Sequence, residues 1–336
     1  MSISIRDVAT LAGVSVGTVS NVLNRPDAVS ASSIKRVNSA IEELGYVRND
    51  AARQLRAGVS TTVGFLALDG RNRFFADVVG GAENEATARG LALLHGNSDE
   101  DAARETLYID LFEQQMVRGL LIAPFGDVTA RLVRLRARGI PSVLIDRFSG
   151  DAQFSSVSVD SVAGGRLAAE HLLERGRRRL AFVGGGFDIR QVTDRLAGAR
   201  SAVENGAHPA ALEVVPTHAL TVDEGVAAGR RLLARDRADR PDAVFAANDL
   251  LALGLLQSLV VDGRMLVPDE IAVVGFDDIP FAAAAAVPLT SVRQPSALIG
   301  GTAMRILLDE ADDPGRPTRQ TVFAPELVAR ASTGPP

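Results

Sequence analysis

Apolar positions follow two different rhythms along the chain. Near the N-terminus they recur three and four residues apart: Ile5, Val8, Ala9 and Ala12, then Val19, Val22 and Leu23, then Ile34, Val37, Ile41 and Leu44. That spacing puts each set on one helix face and predicts three short helices around one small core. The polar punctuation agrees. Ser4 with Asp7 three residues on reads as a capping box, Ser15 and Ser30 as N-caps, and Gly13 and Gly45 as left-handed stops. A tight glycine turn between the first two helices makes a helix-turn-helix. Its second helix turns Val16, Gly17, Ser20 and Asn21 outward, small side chains suited to a major groove.

From residue 61 the rhythm changes. Short continuous apolar runs fall at 61–68, 91–95, 119–123, 141–146, 156–160, 179–184, 213–216, 243–247 and 271–276. Amphipathic stretches separate them, near 75–89, 102–116, 162–175, 191–204, 223–235, 249–261 and 296–309. Apolar strands alternating with helices predict parallel sheets covered on both faces. The units are too many for one compact open sheet, so two lobes are expected. The fold class is thus an all-α helix-turn-helix head on an α/β body, with a ligand cleft beyond the carboxyl ends of the strands.

Between the regimes lies Asn49–Gly58, an Ala- and Arg-rich stretch with Leu55 as its single large apolar residue. A helix of roughly eight residues is too short to stand alone. It reads either as an ordinary linker helix or as one that folds on DNA with Leu55 as a wedge.

Composition narrows the functional classes. The 336 residues are 46% hydrophobic and 23% charged, as in globular chains. No apolar run approaches the ~20 residues that span a bilayer, and Arg6 and Asp7 interrupt any signal-peptide core, so a cytoplasmic protein without membrane contact is expected. There is no cysteine, and His95, His171, His208 and His218 are scattered; neither a metal site nor a cofactor is expected. Net charge is −5, but residues 1–60 carry +2 and the remainder −7, a basic head on an acidic body.

Gly13-x-Ser15-x-Gly17 matches the nucleophile-elbow pattern, but that elbow needs a strand before the serine, and here a helix and turn precede it. No catalytic pair is evident, and a non-enzyme is expected. Gly184-Gly185-Gly186 lacks the spacing of a phosphate loop and reads as a plain βα turn. Phe281–Val287 is apolar but far too short for a membrane segment.

Polar residues collect after the strands: Asp69 and Asn72, Asp146, Asp160, Asn248 with Asp249, and Asp277 with Asp278. Arg195 opens a helix, and Phe74, Phe75 and Phe245 offer apolar faces. Planar carboxyl, amide and guanidinium groups beside phenyl rings suit a neutral polyhydroxylated ligand. Each acid or amide also has a second reading, as a cap of the following helix.

In order along the chain, "IRDVATLAGVSVGTVSNVLN", "VSASSIKRVNSAIEELGYVRNDAARQLR", "DRLAGARSAV", "AANDLLALGLL", "VPDEIAVVGFDDIPFA", "PLTSVRQP" and "PELVARAST" follow one pattern. The chain resembles the LacI/GalR (lactose-repressor) family of transcriptional regulators along essentially its whole length. The resemblance implies a helix-turn-helix domain at 1–48, a hinge helix or linker at 49–60 and an effector-binding and dimerisation domain at 61–336 like a type I periplasmic sugar-binding protein. Of its two Rossmann-like lobes, the N-terminal would be 61–161 with 292–322 and the C-terminal 162–290 with 323–336. The crossings would fall near Ser161, Pro288–Ser291 and Phe323.

The resemblance also implies partners and sites. The chain would be a homodimer on a palindromic double-stranded operator, with a central CpG step opened by hinge leucines. Ser15, Val16, Gly17, Thr18, Ser20, Asn21 and Asn24 would lie on or beside the recognition helix. Many relatives have a longer side chain at Gly17 and Arg at Asn21; here Asn21 can favour adenine by a bidentate contact. Tyr46, Asn49, Ala52 and Leu55 match hinge positions, and Ser4, Ser30, Arg53 and Arg56 complete the expected DNA-contact set. Asn72, Phe74, Phe75, Arg195, Phe245, Asn248, Asp277 and Gln294, with Asp146, would form the effector site. A monosaccharide or small glycoside is the first expectation and a nucleoside or nucleobase the second. The reading is of a repressor of a catabolic operon, with the ligand as inducer or, alternatively, co-repressor.

Overall fold

The computed structural model describes residues 3–46, 60–147, 153–187 and 189–334. It divides into two units, Met1–Val59 and Ser60–Pro336.

The first unit holds α1 (Ile5–Ala12), α2 (Val16–Asn24) and α3 (Ala31–Leu44). Asp7 accepts hydrogen bonds from the Ser4 backbone N–H and from Ser4 Oγ, both at 2.8 Å, which holds its carboxyl below the ordinary range. Gly13 takes φ +61°, where an L side chain is strained, and turns the chain into α2. Ser15 Oγ accepts from the Thr18 N–H at 3.0 Å, so this serine caps a helix rather than standing on an elbow. Val8, Val19 and Val37 are fully buried together, and Ala40 joins them.

The second unit holds two six-stranded sheets. Its elements are β1 (Thr62–Ala67), α4 (Arg73–Ala88), β2 (Ala92–Asn97), α5 (Ala102–Gln114), β3 (Leu120–Ile122), α6 (Thr129–Ala137), β4 (Ser142–Ile145), β5 (Ser155–Val159), α7 (Ser161–Glu174), β6 (Arg179–Gly185), α8 (Arg190–Glu204), β7 (Ala211–Thr217), α9 (Val222–Leu233), β8 (Ala243–Ala246), α10 (Asp249–Leu256), β9 (Ala272–Asp277), α11 (Pro280–Ala283), β10 (Thr290–Arg293), α12 (Ser296–Asp312), β11 (Gln320–Phe323) and β12 (Glu326–Val328). The first sheet runs β11-β5-β4-β3-β1-β2 and the second β12-β10-β9-β8-β6-β7; within them only the β10–β12 pairing is antiparallel. Strand order reverses beside β1 and beside β6, which makes each lobe doubly wound and opens a crevice at its switch point.

The chain passes between sheets three times: after β5, after β10 and after β11. Two expected crossings are thereby moved. Residues 290–293 are β10, in register with β9, so Val292 and Arg293 belong to the C-terminal lobe and the chain crosses at Gln294–Pro295. Phe323 pairs with Val159 in the first sheet, and that crossing falls at Ala324–Pro325.

Three helix pairs cross with reciprocal glycines. A Cβ on Gly81 would lie 2.0 Å from the Ala297 carbonyl oxygen, and one on Gly300 1.8 Å from that of Val78, which brings α4 and α12 together backbone to backbone. Gly165 and Gly198 do the same for α7 and α8, each 2.0 Å from the other helix's carbonyl, at Arg195 and Val162. Gly225 and Gly254 repeat it between α9 and α10 at 2.2 and 2.0 Å. These crossings fix α4, α8 and α10, the helices whose N-terminal ends carry Asn72, Arg195 and Asn248.

Candidate functional site

The crevice between the lobes is lined by Leu68, Asp69, Asn72, Phe74, Phe75, Glu100, Asp146, Ile189, Gln191, Val192, Arg195, Leu220, Asn248 and Asp277. Seven of the nine residues expected there from sequence line it: Asn72, Phe74, Phe75, Asp146, Arg195, Asn248 and Asp277. Asn72 caps α4, its Oδ1 accepting from the Phe74 N–H at 2.9 Å, while its Nδ2 crosses to donate to Asp277 Oδ2 at 2.9 Å. Asn248 likewise caps α10 through the Leu251 N–H at 3.0 Å and donates to the Leu220 carbonyl at 3.1 Å. The capping and ligand readings of these amides are not exclusive: one oxygen caps while the NH2 group faces the crevice.

Arg195 is only 4% exposed. Its Nη1 donates to the Ala247 carbonyl at 2.7 Å, Nη2 lies 3.8 Å from Asp277 Oδ1, and Cζ sits 3.7 Å over the Phe276 ring. Asp277 also accepts from Gln294 Nε2 at 2.7 Å. Burial pushes the Asp277 carboxyl up, against the pull of Arg195 and its amide donors. Asp146 is pushed up to about 7, chiefly by burial, with Arg195 opposing and Asp277 adding to the rise. Its Oδ2 accepts from Gln191 Nε2 at 3.1 Å, and the same NH2 group donates to the Asp146 carbonyl. Asp146 and Asp277 hold φ at 54° and 109°, an unfavourable backbone for a non-glycine residue. Strain of this kind gathers at ligand sites.

Two expected residues lie elsewhere. Phe245 is fully buried on β8 with its ring edge-on to Phe182 at 5.3 Å, a core residue rather than a crevice wall. Gln294 stands behind Asp277 and steadies it. Of the other strand-end acids, Asp160 caps α7 through the Ala163 N–H, and Asp249 is buried beneath β10, accepting from Ser291 Oγ at 2.6 Å. Asp278 faces Arg293 and Arg330. Glu100 and Gln191 were not expected. Gln191 had a signal, since it stands four residues before Arg195 on the same helix face; Glu100, in the loop after β2, had none.

Water-sized space among these groups amounts to only ≈ 30 Å³, so the crevice is closed on itself. A far larger hollow of ≈ 500 Å³ lies along α7 and α8, between Arg166, Glu170, Ser201 and His208. It is an open groove with no convergent buried polar groups, so size alone does not mark the site.

On the first unit, Val16, Gly17 and Asn21 are exposed on α2, and Ser20 is half-buried. Asn24 turns back on its own helix, donating to the Ser20 carbonyl at 2.7 Å, and Ser15 and Thr18 hydroxyls meet at 2.9 Å. Ser30 caps α3 through the Ser33 N–H. Tyr46 packs against the three-helix core. Asn49, Ala52, Arg53, Leu55 and Arg56 lie outside the described residues.

Against known proteins, residues 4–49 match the model for bacterial regulatory proteins of the lacI family, and residues 169–333 that for a periplasmic-binding-protein-like domain. Over 98% of both chains it is 32% identical to the HTH-type transcriptional repressor PurR of Vibrio atlanticus (strain LGP32). It is 32% identical to the ribose operon repressor of Escherichia coli (strain K12), covering 98% of this chain and 99% of that one. Among solved structures, the transcriptional regulator CelR in complex with cellobiose is 33% identical with a TM-score of 0.72, covering 98% of this chain and 99% of that one. The lac repressor dimer bound to operator and the anti-inducer ONPF is 26% identical with a TM-score of 0.83 over the whole of both chains. The fold and the two matched regions define a ligand-responsive, DNA-binding regulator of transcription. The chain belongs to the LacI family.

Proposed function

We propose that this regulator is a homodimeric repressor of a catabolic operon, working in the cytoplasm and without enzymatic activity, whose grip on a palindromic operator is set by a free sugar held between the lobes. The observation that carries this reading is that crevice groups of both lobes are bonded to one another: Asn72 to Asp277 and Asp146 to Gln191. A ligand can enter only by replacing those bonds, and so it acts on lobe closure. Carboxyls, amides and one guanidinium beside Phe74 and Phe75 match a polyhydroxylated ligand. The cellobiose held by CelR and the ribose operon controlled by one relative agree with a sugar. Val16, Gly17 and Asn21 would read the operator, and the stretch around Leu55 would enter its minor groove at a central CpG. Pairing of two copies is supported by exposed apolar side chains on each lobe, Leu94, Leu107 and Met116 on one and Val261, Leu266 and Phe281 on the other.

A nucleobase acting as co-repressor is the second reading, favoured by the edge-on Phe74–Phe75 pair, centroids 5.1 Å apart, as a stacking wall. A thermal-shift screen against sugars and nucleosides, with each hit titrated onto operator-bound protein, separates the two. A sugar that raises Tm and releases DNA supports the first; a nucleobase that raises Tm and tightens DNA binding replaces it with the second.

A further inference from the structure

We propose that the crevice refuses anions: its effector is an uncharged sugar, and the same sugar carrying a phosphate or carboxylate does not bind. This rests on the crevice being the effector site. Asp69, Glu100, Asp146 and Asp277 bring four carboxyl groups to the lining, and among the described residues Arg195 is its only cationic side chain. Both of its terminal nitrogens are already engaged, Nη1 by the Ala247 carbonyl and Nη2 by Asp277, and its face lies on the Phe276 ring; only Nε is left over. The arginines that flank the site along the chain are held too. Arg71 meets Asp69 at 3.0 Å and Asp99 at 2.8 Å, Arg73 meets Asp77 at 2.8 Å, Arg147 donates to the Gly126 carbonyl at 2.8 Å, and Arg190 lies 3.6 Å from Asp194.

Helix N-termini are the usual alternative seat for a phosphate. Three open here. Those of α4 and α10 are closed by their own caps, Asn72 and Asn248, and Asp69 takes the Arg71 N–H at 3.0 Å. The third, that of α8, has no side-chain cap at Ile189, but the Asp146 carboxyl already meets it through Gln191. An arriving anion would therefore meet capped amides at two helix ends and a carboxyl at the third. Neutral hydroxyls face the opposite situation. Among the described residues, Asp146 Oδ1 and Arg195 Nε are buried without a hydrogen-bond partner, one on each side of the crevice, and both belong to lining residues at least nine-tenths buried. A polyol hydroxyl can satisfy either, since it donates and accepts. The upward push on Glu100, Asp146 and Asp277 points the same way: these carboxyls already stand in surroundings that disfavour negative charge.

The test is calorimetric titration of the full chain at pH 7.5 with matched pairs: ribose and ribose 5-phosphate, glucose and glucose 6-phosphate, cellobiose and cellobionate, adenosine and adenosine monophosphate. The expected result is a free member that binds and a charged partner at least a hundredfold weaker. A charged partner within tenfold of its free form, or tighter, overturns the proposal. If only adenosine binds, the sugar reading fails, and the adenosine pair still decides anion refusal. If no member of any pair binds, the crevice is not the effector site and the proposal falls with it. The Glu100→Gln/Asp146→Asn double variant, checked for folding by its melting curve, separates charge from size. It should narrow the gap between partners at least tenfold; an unchanged gap means that bulk excludes the phosphate, and the electrostatic account is wrong.

Discussion

Asn72 Nδ2 donates to Asp277 Oδ2 at 2.9 Å although the two residues stand 205 positions apart and on different lobes. Gln191 and Asp146 make the reverse connection, from the C-terminal lobe to the N-terminal one. Replacing Asn72 with serine separates its two roles, because serine caps a helix as well as asparagine but cannot reach Asp277. We expect Asn72→Ser to cost about 1 kcal/mol, the net worth of one hydrogen bond, and to shrink the difference in operator affinity with and without the bound sugar. Chemical denaturation and operator titration measure the two. An unaltered ligand response would show that the bridge does not sense closure.

Asp146 makes stability and binding depend on pH. Its carboxyl titrates near 7 in the folded chain, against about 3.9 when unfolded. Between those values the folded chain keeps a proton that the unfolded chain has lost. Stability from this group is whole below about pH 4 and falls as pH rises through 7. Asp146→Asn does not titrate, so its Tm should gain on the parent between pH 5 and 8, by the equivalent of about 2–4 kcal/mol. Protonated, Oδ1 donates to the ligand while Oδ2 accepts from Gln191; the parent's sugar affinity should fall up to tenfold per unit above pH 7, and the variant's should stay flat. Parallel profiles for the two proteins would remove Asp146 as the titrating group.

Two helical glycines give opposite expectations. A Cβ on Gly165 would press on the Arg195 carbonyl, whereas one on Gly80 meets nothing within 4 Å. Gly165→Ala should destabilise the body by about 1–3 kcal/mol and weaken sugar binding at least tenfold by displacing Arg195. Gly80→Ala should stabilise by up to about 1 kcal/mol with binding unchanged. Calorimetry of both variants checks the pair; equal effects would mean that close helix approach does not set the crevice.

Gly13 and Gly17 are neighbours with different duties. A Cβ at Gly13 finds room, 3.8 Å from Arg36 Nη1, but φ +61° strains it by roughly 1–2 kcal/mol. At Gly17 the nearest atom is Ser15 Oγ at 3.6 Å, and alanine should gain up to about 1 kcal/mol in helix propensity. Gly13→Ala should therefore weaken all DNA binding, while Gly17→Ala keeps the fold and changes the preferred operator bases. Tyr46 fluorescence in a Tyr108→Phe background follows unfolding of the first unit, and selection from randomised operators reads the preference. A Gly17→Ala protein that selects the parent's sequence would take α2 out of base recognition at that position.

The two apolar rhythms made the helix-turn-helix and nine of the twelve strands among the described residues legible. What escaped was held by polar contacts. α6 falls outside the amphipathic stretches, and its Arg131 and Arg134 face Asp110 and Glu113 of α5. β10 buries Thr290 and Ser291, whose hydroxyls bond to the Arg330 carbonyl and to Asp249, so no apolar run announces it. The crevice was legible where strand ends carried Asp or Asn and where a helix opening beside them carried Arg195. Phe245 misled because an aromatic residue near a strand end serves core or wall equally well, and only its packing on Phe182 decides.

The reciprocal glycines of α4 with α12, α7 with α8 and α9 with α10 all lie within a lobe. Taste and frame are thus written in different residues: what the crevice admits depends on side chains at helix ends and loops, while helix placement depends on positions that have no side chain. A library randomised at Asn72, Glu100, Asp146 and Gln191, with those six glycines untouched, would explore new ligands without re-solving the fold, and would turn this one regulator into a source of sensors for molecules it does not now bind.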